Sequence, residues 1–71
     1  MVIKYSPHAE KRLRQRGILK TQVKLTLSEP DAVLHSDRNR LIARKKLNGK
    51  TLEVIYVKES GKIIIVTLYY L

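Results

Sequence analysis

The residues best suited to chemistry are His8, Arg12 and Arg16, which fall four positions apart and so share one stripe of a helix. They follow Ser6-Pro7, a serine that can cap free amides and a proline that fits the first helical turn. A helix N-terminus favours anions through its unpaired amides and its dipole, so a phosphate resting near His8 would be held by Arg12. The same amides and guanidinium disfavour imidazolium and keep His8 available as a base. The plainer reading makes Ser6 a cap, His8 a surface residue and the arginines a solvated face.

Two further groups carry candidates. Arg38, Arg40, Arg44, Lys45, Lys46 and Lys50 form a basic segment with no acid between them. Strand alternation sends Arg40, Arg44 and Lys46 to one side, a row spaced for contacts to a nucleic-acid backbone, with Arg38 in the turn before it. Lys45 points to the opposite, mostly apolar side, where it either snorkels to solvent or serves a site. On the final strand, the Thr67 hydroxyl bonds a nearby carbonyl or takes part in a site. Tyr69 stacks on a base, acts as a phenolic acid or closes the sheet. His35 has no companion and reads as structural.

Composition narrows the chemistry. Fifteen Lys and Arg against six Asp and Glu give a net charge of +9, the balance of a polyanion binder. No cysteine is present, so thiol catalysis, disulfides and thiolate metal sites are excluded. Gly17, Gly49 and Gly61 stand alone and build no phosphate-cradling loop, and no carboxylate pair is spaced for two metals. No cofactor is expected. Such a chain would work with cations, imidazole, hydroxyls and the substrate's own groups. RNA supplies one in its 2′-OH, so RNA is a better-matched substrate than DNA. The longest apolar run, residues 63 to 66, is too short to span a bilayer, and the opening Met-Val-Ile-Lys-Tyr has no leader pattern; a cytoplasmic protein is expected.

The positioning elements follow from a hydrophobic period that changes twice. A strand over 2–5 leads to a helix over about 7–16 that buries Ala9 and Leu13 and stops at Gly17. A second helix over about 20–28, with Val23 and Leu27 inward, has a weak start at Leu19 and ends before Pro30. Strands over 32–35, 40–47, 51–58 and 62–70 complete a β-α-α-β-β-β-β order, an α+β domain with two helices on one face of a curled antiparallel sheet. The turns at Asn48-Gly49 and Ser60-Gly61 set the register. Lys45 then faces Leu52, Ala43 faces Val54, and Leu41 faces Tyr56. Across the next pair, Val54 faces Thr67, Tyr56 faces Ile65, and Leu52 faces Tyr69, all on the helix side. The other side carries Arg40, Ile42, Arg44 and Lys46 beside Glu53, Ile55, Val57, Ile64, Val66 and Leu68. That much aliphatic surface is expected to meet a partner chain, such as a second copy.

The pattern Ser6-x-His8-Ala9-x-x-Arg12-x-x-x-Arg16-Gly17-Ile18, with Val23, Pro30, Leu52-x-Val54 and Ile65-Val66-Thr67-Leu68-Tyr69, resembles a family of small bacterial and archaeal domains of unknown function. That family is grouped with the RelE/ParE-like toxins and with colicin D-type and BrnT-type ribonucleases. The resemblance spans nearly the whole chain and implies one RelE-like domain over 1–71. By analogy it implies a metal-independent endoribonuclease toxin paired with an acidic antitoxin. By matching position, His8, Arg12, Arg16 and Thr67 are the motif residues; Lys45 and Tyr69 are candidates from strand register alone. Leu19 departs from the polar cap usual at that place. A non-catalytic module binding nucleic acid or a partner protein is the alternative, because fold alone does not settle activity.

Overall fold

The computed structural model describes residues 2–71, which form β1 (Val2–Tyr5), α1 (Pro7–Arg16), α2 (Lys20–Ser28), β2 (Ala32–His35), β3 (Leu41–Leu47), β4 (Lys50–Glu59) and β5 (Lys62–Tyr70). The strands make one five-stranded sheet in the order β1-β5-β4-β3-β2. The expected element order is the observed one, but the sheet is mixed and not antiparallel throughout, because β1 pairs parallel to β5. The reason lies in β5, whose Ile63, Ile64 and Ile65 suit a strand buried on both sides and flanked by two neighbours. Running parallel to β5, β1 delivers the chain at Tyr5 opposite Ile65, where α1 begins over the far half of the same strand.

Both helices cover one face. Ala9 and Leu13 of α1, Ile18, and Val23 of α2 meet Ala43, Leu52, Val54, Tyr56, Ile63, Ile65 and Leu68 of the sheet in the core. The second helix departs slightly from expectation: Thr26 is fully buried beside Val23, while Leu27 packs at the margin. Thr26 is tolerated there because its hydroxyl donates to the Gln22 carbonyl at 2.8 Å. The unpromising start at Leu19 is rescued by Gln22, whose side-chain oxygen accepts from the Leu19 amide at 2.9 Å.

The two hairpins turn where expected. Asn48 and Gly49 have φ of 50° and 82°, and Ser60 and Gly61 have 47° and 76°, the paired left-handed geometry that matches the twist of the strands. From Asn48-Gly49 the register runs unbroken, with Leu41, Ala43 and Lys45 opposite Tyr56, Val54 and Leu52. From Ser60-Gly61 it holds as far as Tyr56 opposite Ile65 and then slips by one at a bulge, leaving Val66 as an extra residue on β5. Thr67 therefore lies opposite Ile55 and not Val54, and Tyr69 opposite Glu53 and not Leu52. One residue of slip exchanges the faces. Leu68, expected on the outer side, is fully buried in the core, while Thr67 and Tyr69 move to the outer side.

Ser6 ties this bulge to α1. Its amide donates to the Ile65 carbonyl at 3.0 Å, its hydroxyl donates to the Val66 carbonyl at 2.9 Å, and the same hydroxyl oxygen accepts from the Ala9 amide at 3.0 Å. Replacing Ser6 by Ala removes both a helix cap and the link to the bulge. Chemical denaturation of Ser6→Ala is expected to show a loss of about 1–3 kcal/mol, from a cap worth ~1 and a net hydrogen bond of similar size.

Candidate functional site

With α1 anchored at its first turn, its polar stripe runs along β5. His8 and Arg12 are one turn apart, about 6 Å along the helix axis. Thr67 and Tyr69 are two residues apart, about 6.6 Å along the strand. The near match of these steps lets the helix stripe follow the strand. The Nε2 of His8 lies 3.0 Å from Oγ1 of Thr67, where a neutral imidazole either accepts the hydroxyl proton or donates its own. One turn on, the positive charge of Arg12 is near enough to Tyr69 to act on the ionisation of its phenol.

Beside that contact sits a charged cluster built on Glu53. The residue is 4% exposed. Oε1 accepts from Nε of Arg44 at 2.5 Å, and Oε2 accepts the hydroxyl of Tyr69. The hairpin register places Arg44 directly opposite Glu53 on one strand pair, and the bulge places Tyr69 opposite it on the other. The phenol of Tyr69 is raised above the usual tyrosine value of 10.0, first by its hydrogen bond to Glu53, then by burial and by the Glu53 charge; Arg44 and Arg12 pull it back. Burial also raises the phenols of Tyr5, where the Glu10 charge adds to it, and of Tyr56.

The structure thus brings together His8, Arg12, Thr67, Tyr69 and Arg44, and separates the rest. Lys45 projects from β3 to the opposite face, where Nζ donates to the Glu29 carbonyl at 2.7 Å and lies 3.7 Å from Asp31. It closes the C-terminal end of α2 and stays apart from His8. Arg16 is exposed on the last turn of α1, and Arg38 is exposed in the turn before β3 with φ of 61°. Arg40 leads into β3, and Lys46 extends the outer row begun by Arg44, its amide held by Asp31 at 2.8 Å. Glu53 is the member that sequence reasoning left without a role. Its signal was present: the Asn48-Gly49 turn sets Glu53 against Arg44, and a lone acid in an apolar strand must find partners.

No three His, Asp or Glu side chains gather as a metal-holding group among the described residues, and no described helix is long and apolar enough to cross a membrane. Two depressions, of about 270 Å³ beneath the Ser60-Gly61 hairpin and about 360 Å³ between the helices near Leu13 and Ile18, both exclude His8 and Thr67. The cluster lies on an open surface, which suits a polymer lying across it better than an enclosed small molecule.

This arrangement of strands and helices is shared with a solved protein. The 1.1 Å crystal structure of the Brucella abortus ribonuclease toxin BrnT matches 100% of this chain and 96% of that chain, with a TM-score of 0.72 at 20% sequence identity. Two helices against a five-stranded mixed sheet, in this order, are the BrnT fold. The family model described as Domain of unknown function (DUF4258) matches residues 5–70, and the chain belongs to that family. A comparison with curated proteins finds no match.

The raised Tyr69 phenol has a consequence for stability. A group protonated more firmly in the fold stabilises it below the unfolded value, near pH 10, and loses that contribution as pH rises through the folded value. Denaturation of the wild-type chain and Tyr69→Phe should show a constant difference around neutral pH that falls away above about pH 10. A difference independent of alkaline pH would contradict the Tyr69–Glu53 bond.

Proposed function

We propose that this chain is a metal-independent endoribonuclease and serves as the toxin of a toxin–antitoxin pair. The observation that carries the reading is the His8–Thr67 contact, with Arg12 one turn on along α1 and Arg44 joined through Glu53 to Tyr69, on an exposed, basic surface. The name of the BrnT neighbour, a ribonuclease toxin, supports it.

In this mechanism His8 takes the proton of a ribose 2′-OH, and the oxygen attacks the adjacent phosphorus. The bond to the 5′-oxygen breaks, that oxygen takes a proton from solvent at the open surface, and the products carry a 2′,3′-cyclic phosphate and a 5′-hydroxyl. Thr67 sets the direction of the imidazole. Arg12 and Arg44 meet the charge that builds on the phosphorane oxygens, the task guanidinium performs best. Arg16, Arg38, Arg40 and Lys46 track the flanking backbone. Tyr69, whose proton is engaged by Glu53, packs and positions more readily than it acts as an acid. Lys45 has a structural task here.

The outer face fits an acidic partner. Ile42, Ile55, Val57 and Ile64 are half-buried there, with Lys4, Lys62, Arg44 and Lys46 around them. An acidic antitoxin complements that rim, whereas a second copy would set like charges against each other across a net +9.

The test is cleavage of total and tRNA-rich RNA in excess EDTA by the wild-type protein and by His8→Ala prepared identically. Cleavage with cyclic-phosphate ends, reduced about 100-fold or more in a variant whose circular dichroism is unchanged, is expected. Equal cleavage by both would overturn the role of His8. Binding without cleavage, with affinity falling at a log–log slope of about −0.7 per single-strand phosphate neutralised, would make the chain a binding module.

A further inference from the structure

We infer that Glu53 is a positioning residue for RNA phosphate: its buried carboxylate fixes Arg44 and Tyr69 so that their unused groups face the polymer beside His8. The inference rests on the RNA-binding part of the proposed function and deepens it.

Glu53 is the buried acid among the described residues, on the sheet face where a chain of net charge +9 is expected to meet a polyanion. An acid there would ordinarily repel phosphate, so its presence needs a reason. Its geometry supplies one. Only Nε of Arg44 is spent on Glu53, and neither Nη group makes a hydrogen bond among the described residues. The pair of Nη groups forms the fork that grips two phosphate oxygens, and the bond at Nε fixes the plane in which it lies. Arg44 stays 40% exposed on its side chain while Glu53 is 5% exposed, so the cation is the member of the pair presented to solvent. Tyr69 is held from the other side by its hydroxyl, with the charges of both Arg44 and Arg12 acting on its phenol. A long, partly exposed arginine loses much rotamer freedom when it binds phosphate, and a partner that orders it in advance removes part of that cost.

Two accounts of Glu53 predict opposite signs. If it acts only through its charge, replacing it by Gln adds +1 to the surface field and RNA binding strengthens. If it positions Arg44, the same replacement weakens binding although the protein becomes more basic. Gln keeps the volume, and because Arg44 is partly exposed, solvent can hold its charge in the variant.

The experiment measures binding of a 2′-deoxy oligonucleotide, which lacks the attacking hydroxyl, to the wild-type chain, Glu53→Gln, Arg44→Gln and the double variant, with thermal melts of each. Glu53→Gln is expected to bind about 3- to 10-fold more weakly, and the double variant no more weakly than Arg44→Gln, because Glu53 acts through Arg44. Should Glu53→Gln fail to fold, the double variant, which leaves neither charge unpaired, is compared with Arg44→Leu; loss beyond that of Arg44→Leu overturns the inference. Equal or tighter binding by a folded Glu53→Gln also overturns it, as would additive losses. Wild-type protein that binds without cleaving RNA overturns the catalytic reading alone, since the binding comparison needs no turnover. Absence of salt-sensitive binding by wild-type protein overturns both.

Discussion

The hydroxyl of Ser6 donates to the carbonyl of Val66 while accepting from the amide of Ala9, and the placement of the site depends on that one oxygen. The bulge frees a carbonyl from regular strand pairing, and Ser6 occupies it. In doing so the side chain fixes where α1 starts, at what height above β5, and which of its faces looks toward the outer sheet surface. The Ser6 amide adds a second tether at the Ile65 carbonyl. With the first turn held at two consecutive carbonyls of β5, the His8 ring has little choice but to meet Thr67.

A second constraint is the economy of acids. With fifteen cations and six acids, most cations have no partner and keep their charge toward solvent. Three of the six acids are placed at structural junctions. Glu10 pairs with Lys20 between the helices, Asp31 with Lys45 and the Lys46 amide at the edge of β3, and Glu53 with Arg44 inside the cluster. Glu53 differs in being buried. Its partner Arg44 reaches solvent, so the pair is asymmetric: losing Arg44 strands a buried carboxylate, whereas losing Glu53 leaves a cation that water can hold.

Much of the fold was legible in local sequence. The Ser6-Pro7 start, the Gly17 stop and the Pro30 boundary mark helix ends through backbone geometry that neighbouring residues impose. Asn48-Gly49 and Ser60-Gly61 demand left-handed pairs, and the hairpins formed there. Within the site, the shared stripe of His8 and Arg12 and the inward direction of Lys45 followed from helical and strand periods alone. The apolar run 63–66 marks β5 as a central strand with Val2–Tyr5 as its neighbour, but the parallel direction of that pairing did not follow, because the side-chain pattern of a short strand is the same read either way.

What the sequence by itself determined is therefore the set of elements, the basic surface and the helix stripe, since each follows from interactions within a few residues. The tertiary structure decided which strand residues join that stripe. Ile65-Val66-Thr67-Leu68 contains no glycine or other local signal for a bulge, and a regular strand would turn Thr67 inward and Leu68 outward. The extra residue is selected by two distant demands, a carbonyl for Ser6 and a place in the core for Leu68. Strand side chains alternate with period two, so that single insertion moves both Thr67 and Tyr69 across the sheet, to His8 and to Glu53.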